Sequence, residues 1–536
     1  MMRRLQNFLN EEHGAGTVFM VLLLPAFLAL AGLAIDAANA YRTRAILQGA
    51  ADAASLAATL SLPDTNAAAA AAINYAKMNL PNNGPVLAAA DVEAGNWNAA
   101  TQTFTKGGTP TNSVRVTTRM TATNGNALPT AFLKIIGIDH WDISAQAISV
   151  ADQPKLWVAL VLDNSGSMCQ DASHPTISGP CPTPYADSKI TALKTGANNL
   201  VTTLKKAAAH PGDVQVSIVP FTKNVGLGTA YVNASWLNWS DFNRAPPAVP
   251  TASVGPNSSC PWTTNSNGYA CQVSPANGAP TTTKIPASGA YAGYICPTAD
   301  KNGHYYNGCY NSVKISGSGT TTKYSHTWIS NAKSTWTGCV MDRDQAFDTL
   351  DTLPSTGGTM FWPENNQDCP ISTLTAMHAL TTDSDLSFFS GQINALSANG
   401  WTNQAIGVDT GWLTITPGMP LNPVPPALPA DTQRYIVLFS DGFNTFDRWT
   451  KSPNGNVRDT VADARTEAAC DNAKKEGVVI FTVYVDLAGT TGASDVLEHC
   501  ASEPKSDYYF PLTTANGIIT TFDKIGQRIM KMRLVR

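Results

Sequence analysis

At 536 residues the chain is too long for one ordinary domain, and two or three are expected. Only 14% of the residues are charged and the formal net charge is −4, which excludes the basic footprint of a nucleic-acid binder. The ten cysteines all lie at or beyond Cys169, with no Cys-x-x-Cys pair and eight scattered histidines. That pattern points to disulfides in an oxidising compartment and away from structural zinc.

A short head, residues 1–13, carries Arg3 and Arg4 and is assigned to the cytoplasm. Gly14 to Ile35 then holds no charged residue, and about 22 residues suffice to cross a bilayer as a helix. No Ala-x-Ala-type cleavage site follows directly, so the segment reads as a retained anchor. Arg42 and Arg44 balance Arg3 and Arg4 across it, and the cysteines place the bulk outside the cytoplasm. From Asp36 to Ala58 an Ala-rich helix continues, and Ala67 to Met78 extends it. Alternation predicts strands at Val114–Thr121 and Trp141–Val150, the second with Ile143, Ala145, Ala147 and Ser149 on one face, and a further strand or hairpin is expected around Gly95–Trp97. Residues 36–150 thus form a small α+β unit with a pilin-like layout, and Asp152–Pro154 marks its end.

Leu156 to Leu162 is an unbroken apolar run, as in a strand buried on both faces of a parallel sheet. It stops on Asp163, Ser165 and Ser167, whose oxygens suit a hard cation such as Mg²⁺ or Ca²⁺ and also suit the capping of a following helix. Asp187–Ala209 carries a helical stripe of Ile190, Leu193, Ala197, Leu200 and Leu204, and Val214–Phe221 is the next strand. Residues 224 to about 345 show no regular pattern and belong to an insertion spanning about 224–395, too long for an ordinary loop unless stapled. Cys169–Cys181, Cys260–Cys271 and Cys296–Cys309 are the easiest pairs to close, Cys339–Cys369 would follow, and Cys470 and Cys500 flank one strand; sequence alone does not fix the connectivity. The aromatics of the insertion, Trp236, Trp239, Trp262, Tyr291, Tyr294, Tyr305, Tyr306 and Tyr310, either fill small cores or form a recognition surface.

Thr402 lies in a Gly400-Trp-Thr-Asn loop before a helical pattern, and Tyr435–Ser440 is a second buried strand ending in Asp441-Gly442. A helix at Val461–Lys475, strands at Val478–Val485 and Asp507–Phe510, and a last helix at Asn516–Met532 with Ile519, Phe522, Ile525, Ile529 and Met532 on one stripe complete a βα alternation. Residues 155–536 are therefore an α/β, doubly wound, Rossmann-like domain interrupted by the insertion.

Asp163-x-Ser165-x-Ser167, then Thr402 in its Gly-x-Thr-Asn loop, then Ser440-Asp441-Gly442, in that order, resemble the von Willebrand factor A domain. The resemblance implies a metal-ion-dependent adhesion site in which Asp163, Ser165, Ser167, Thr402 and Asp441 hold Mg²⁺, or Ca²⁺ or Mn²⁺. The hydroxyls would bind directly, the carboxylates often through water, and one position would stay open for an acidic residue of a protein partner. The stretch from Glu12-His-Gly-Ala-Gly16 through Leu47–Ala57 resembles TadE/TadG-like proteins of tight-adherence (Flp) pilus systems, as do Trp336–Arg343 and Cys470. That resemblance implies a single-pass inner-membrane protein of the bacterial envelope, with its bulk in the periplasm or at the surface and pilus-assembly components as partners. Nothing acidic lies between Gly14 and Asp36, a departure from the prepilin-peptidase pattern. No Gly-x-Ser-x-Gly, Gly-x-x-x-x-Gly-Lys or His-Glu-x-x-His motif points to an enzyme. The two functions left are cation-dependent partner binding and a structural place in the pilus-assembly or envelope complex without it.

Overall fold

The computed structural model describes residues 13–534 apart from 63, 81–84, 99–100, 109–110, 151–154, 177–180, 182–184, 209–210, 263–269, 277–278, 301–302, 367, 423–426, 430, 451–456 and 488–493. Residues 1–12 of the head and the Asp152–Pro154 boundary lie outside the described residues. Two compact units divide the chain, Met1–Gln153 and Pro154–Arg536.

The first unit opens on α1, His13–Thr59, a single helix of 47 residues with Pro25 inside it. Its part from Phe19 to Thr59 contains a stretch long and apolar enough to cross a membrane. Further along, Leu47, Ala50, Ala54 and Ala58 pack with Ala68, Ala72 and Ala76 of α2, Thr65–Asn79. Small side chains on both helices permit close approach. α2 is not an extension of α1, as the Ala-rich run suggested: the chain turns at Ser61–Leu62, and the Asp64 carboxylate caps the new helix by accepting from the N–H groups of Asn66 and Ala67. An antiparallel sheet follows, β1 (Val92–Asn98), β2 (Thr103–Lys106), β3 (Ser113–Met120) and β4 (Ile143–Val150), in the order β2-β1-β3-β4. β4 turns Ile143, Ala145 and Ala147 inward as its alternation requires, while Trp141 pairs in a separate short ladder with Leu128.

The second unit is built on five parallel strands, β5 (Lys155–Asp163), β6 (Val214–Phe221), β7 (Thr432–Ser440), β8 (Val479–Val485) and β9 (Tyr509–Leu512), in the order β6-β5-β7-β8-β9. Helices α3 (Lys189–Lys205), α4 (Asp383–Asn394) and α8 (Ala515–Leu534) cover the face that carries Leu156, Val158, Leu160 and Leu162. Helices α5 (Gln404–Thr414), α6 (Thr460–Lys475) and α7 (Asp495–Cys500) cover the face of Trp157, Ala159 and Val161. Apolar cover on both faces is why β5 reads as an unbroken apolar run. In α8 the buried stripe is Ile518, Phe522, Ile525 and Ile529, with Ile518 in the place expected for Ile519.

The stretch after residue 224 is not irregular. Short antiparallel segments Val225–Gly226, Cys339–Met341 and Trp362–Glu364 extend the main sheet beyond β6, and Thr375–Ala379 pairs with β6 itself. A separate sheet of five strands holds Cys271–Gln272, Tyr294–Pro297 and the hairpin Gly308–Ser316/Lys323–Ser330. Several of these strands are too short to show a two-residue period, whereas Lys323–Ser330 does alternate, with Tyr324, His326 and Trp328 on its half-buried face. Phe389 and Ile393 of α4 sit in the main core, so residues 375–395 belong to the domain and not to its insertion. Disulfides join Cys169–Cys181, Cys260–Cys271, Cys296–Cys309, Cys339–Cys369 and Cys470–Cys500. Trp262 and Tyr310 are buried in a small core of the insertion, Tyr306 is buried, and Trp336 joins the core of the main sheet, whereas Tyr291 is exposed.

Arg343, just after Cys339–Met341, is wholly buried and forks onto Asp409 of α5, with Nη2 2.7 Å from Oδ1 and Nε 3.1 Å from Oδ2. Removing one member of a buried ion pair strands the other. Arg343→Met should therefore lower unfolding stability by about 3–5 kcal/mol in denaturant titration of the chain.

Candidate functional site

Three loops meet at the carboxyl end of β5 and β7. The order β6-β5-β7 means that the chain leaves β5 toward one side and returns on the other, which opens a crevice at that end. β5 and β7 are in register as far as Leu162 and Phe439, so the next residues, Asp163 and Ser440, come side by side. Ser440 Oγ donates to Asp163 Oδ2 at 2.6 Å, and the Ser165 N–H donates to Oδ1 at 2.7 Å. The hydroxyls of Ser165 and Ser167 are 3.1 Å apart, and Ser167 Oγ donates to Asp441 Oδ1 at 2.8 Å. Asp163, Ser165, Ser167 and Asp441 thus form one chain of contacts, the first through the Ser165 backbone N–H and the rest between side chains.

Thr402 is brought to the same place by its backbone. The Gly166 N–H donates to the Gly400 carbonyl at 2.9 Å and the Asn399 N–H to that of Asn164 at 2.7 Å, which ties this loop to the one after β5. On its other side the Thr402 N–H donates to Thr445 Oγ1 at 3.1 Å and its carbonyl accepts from the Thr445 N–H at 3.0 Å, which ties it to the loop after β7. Gln404, first residue of α5, reinforces that junction: its Nε2 donates to Ser440 Oγ and to the Gly442 carbonyl.

Lys189 is the site residue that the sequence did not reveal. Its Nζ lies 2.7 Å from Asp441 Oδ2 and 3.0 Å from Gln170 Oε1, and the side chain is almost wholly buried. It follows the N-cap Ser188 at the start of α3, beside the apolar Ile190, and nothing in the spacing links it to Asp441. A lysine beginning a buried helical stripe was the one available signal.

Asp163 is fully buried, Ser165 and Thr402 nearly so, Asp441 is 7% exposed and Ser167 half-buried. Burial, then the charge of Asp441, pushes the Asp163 carboxyl well above the usual carboxylate range, against the pull of Ser440 and Ser165. Next to Thr402, Asn403 Nδ2 donates to both oxygens of Asp342 at 3.1 and 2.9 Å. Burial and the charge of Asp447 push Asp342 up to about 7. The donor set is two carboxylates and three hydroxyls, hard oxygens of the kind that Mg²⁺ and Ca²⁺ take. Among the described residues no three His, Cys, Asp or Glu side chains gather to hold a metal, so an ion here would depend on the hydroxyls. Beside the loops lies a cavity of about 280 Å³ lined by Gln404, Gly442, Phe443, Arg458, Tyr484, Ser494 and Val496.

Residues 14–76 match the family model of TadE/G-like Flp pilus assembly, and residues 48–149 that of Tad-like Flp pilus assembly. The N-terminal region of the chain is thus similar to Tad-like Flp pilus-assembly proteins, and that likeness with its apolar helix fits a membrane-anchored envelope protein with a pilus-related role. No curated protein matches the chain. Among solved structures it is similar to the pilus adhesin SpaC of Lactobacillus rhamnosus GG, at 11% identity and a TM-score of 0.33 over 78% of this chain and 33% of that one. It is also similar to the vWF domain of the type V pili tip protein Mfa5 of Porphyromonas gingivalis, at 10% identity and 0.31 over 72% and 97%. The PilB minor pilin of Streptococcus sanguinis gives 12% and 0.30 over 83% and 86%. The chain spans about a third of the length of the SpaC adhesin.

A buried acid with a raised pKa holds its proton more tightly in the folded than in the unfolded chain, so stability falls as pH rises between the two values. With Asp342 moving from 3.8 to about 7 and Asp163 shifted the same way, the cation-free chain should lose thermal stability between about pH 4 and 7. Asp163→Asn should flatten that slope in scanning calorimetry run in EDTA.

Proposed function

We propose that residues 155–536 form a doubly wound von Willebrand A-type domain that binds a protein partner through a divalent cation. Mg²⁺, or Ca²⁺ or Mn²⁺, would be held by Asp163, Ser165, Ser167, Thr402 and Asp441. When bound, the ion supplies a fixed positive charge that receives an Asp or Glu carboxylate of the partner. The chain's own residues do the rest. Ser440 and the Ser165 N–H fix Asp163, Gln404 locks the loop after β7, and Thr445 sets the height of Thr402. The adjoining cavity would take a side chain next to the partner's acid. α1 anchors the protein in the inner membrane with its bulk in the periplasm or at the surface, where pilus-assembly components are the partners. The observation that carries this is the contact chain Asp163–Ser165–Ser167–Asp441, assembled from two separate loops.

Partner capture from envelope extract by the full chain in detergent tests it, with Mg²⁺, with EDTA, and with Asp163→Ala. Capture should need the ion and fail in a folded Asp163→Ala protein. Equal capture in all three arms leaves a structural component whose contacts lie elsewhere.

Lys189 favours that second, structural function. Its ammonium already neutralises Asp441, as a tethered cation can in place of a free one. If a divalent ion does bind, removing that charge should tighten it. Lys189→Gln should raise Mn²⁺ affinity by about tenfold or more in calorimetric titration, whereas Lys189→Arg should leave it near wild type.

A further inference from the structure

The N-terminal unit carries an apolar loop with no place in the function above. Residues 130–138, Thr-Ala-Phe-Leu-Lys-Ile-Ile-Gly-Ile, leave Ile135 82% and Ile136 71% exposed, with Phe132 and Ile138 also open to solvent. Four large apolar side chains on one short loop make a patch that a soluble surface rarely presents.

The loop is pinned to α1 at the end of its apolar run. Both oxygens of Asp36 accept from the N–H groups of Ala131, Phe132 and Leu133, at 2.8, 2.9 and 2.8 Å. One turn earlier, Phe132 lies on Gly32 so closely that a Cβ there would stand 2.6 Å from the Cβ of Phe132. Among the described side chains of α1 up to Asp36, Gly32 and Asp36 are the buried ones, and both lie under this loop. Gly32 belongs to the charge-free segment Gly14–Ile35, and four residues of helix span about 6 Å. The loop therefore sits level with the last turn of the membrane segment.

Its backbone is prepared for a dry setting. Besides the three N–H groups given to Asp36, those of Ile135, Gly137 and Ile138 go to the carbonyls of Phe132, Lys134 and Leu133, and the Thr130 hydroxyl donates to the Ile138 carbonyl. A segment entering an apolar layer must satisfy its polar groups internally. Tyr41, 75% exposed and little more than a turn beyond Asp36, would lie at headgroup level, with Arg42 and Arg44 following.

We propose that this loop is a second membrane contact, with Phe132, Ile135, Ile136 and Ile138 dipping into the interface of the leaflet that α1 leaves. Its ligand is the boundary between headgroups and acyl chains, at a depth of about 5–10 Å. The inference rests on α1 spanning the bilayer. Such a contact would fix the tilt and rotation of α1 and hold the first unit against the membrane surface. A lipid is favoured over a second copy of the chain because the patch is continuous with residues of the spanning segment itself.

The full chain in lipid nanodiscs provides the test. The described cysteines are all disulfide-bonded, so Ile136→Cys offers a unique position for an environment-sensitive fluorophore, with Leu28→Cys and Thr105→Cys as membrane and water references. Nitroxides near the top of the acyl chains should quench the label at position 136 at least about twofold more than the label at 105, and aqueous iodide should quench it less. Quenching by iodide and not by lipid nitroxide overturns the proposal. So does protection from both, which would mean that protein covers the patch. If the label at position 28 also escapes the lipid quenchers, the anchor itself fails and the interfacial loop with it.

Discussion

The second unit depends on how it keeps two carboxylates out of water at the end of a parallel sheet. β5 is covered on both faces, so Asp163 at its end is fully buried, and an isolated charge there is strongly unfavourable. Parallel register supplies the first compensation, since it sets Ser440 beside Asp163. The loop supplies the second, through the Ser165 N–H, and Lys189 supplies a whole charge to Asp441 next door. None of these is local in sequence except Ser165. The site is therefore a consequence of the sheet: shift β7 by one residue and Asp163 loses its hydroxyl partner.

The part of the insertion nearest the sheet is tied into this arrangement. Asp342 and Arg343 are consecutive and both buried, and both reach the Thr402 loop and its helix, Asp342 through Asn403 and Arg343 through Asp409. Cys339–Met341, immediately before them, is bonded into the main sheet, and Cys339 is disulfide-linked to Cys369. These contacts brace the loop that carries Thr402, and Asp342 also accepts from the Arg448 N–H in the loop after β7. A buried carboxylate held by a neutral amide and a buried guanidinium on a carboxylate are directional, so they specify where α5 begins as well as stabilising it.

What the sequence disclosed, and what it hid, follows the range of the forces. β5 and β7 were legible because burial on both faces leaves a continuous apolar run. Asp163, Ser165, Ser167 and Asp441 were legible because they sit where such runs stop. α3 was legible through its apolar stripe. Lys189 and the role of Ser440 were not, since each acts on a residue more than 250 positions away. The break between α1 and α2 is marked in the sequence by Pro63 and the N-cap Asp64, but the alanine on both sides, which favours helix, outweighed that signal. The sheet of the insertion was masked because several of its strands are only two to four residues long, and in Lys323–Ser330, which does alternate, Ile329 lies on the exposed face and blurs the pattern of Tyr324, His326 and Trp328. Ile518 for Ile519 is a one-residue error of phase, the natural resolution of a helical stripe read from two adjacent isoleucines.

Charge at the site then bears on how a cation and an acidic partner would act together. With Lys189 beside Asp441 and the Asp163 carboxyl raised to about 7, the site is close to neutral before any ion arrives, and Asp163 would give up its proton when one binds. A divalent cation would turn that to about +1 in a buried setting, where an unbalanced charge is poorly tolerated. A carboxylate from a partner restores neutrality. Ion and partner would therefore bind far better together than either would alone, because each compensates the charge that the other leaves. Without Lys189 the two acids would balance a divalent ion by themselves, and the ion would have no need of the partner. If a divalent ion does bind, the lysine, 2.7 Å from Asp441, thus decides whether that ion is a permanent fixture of the fold or half of a recognition event.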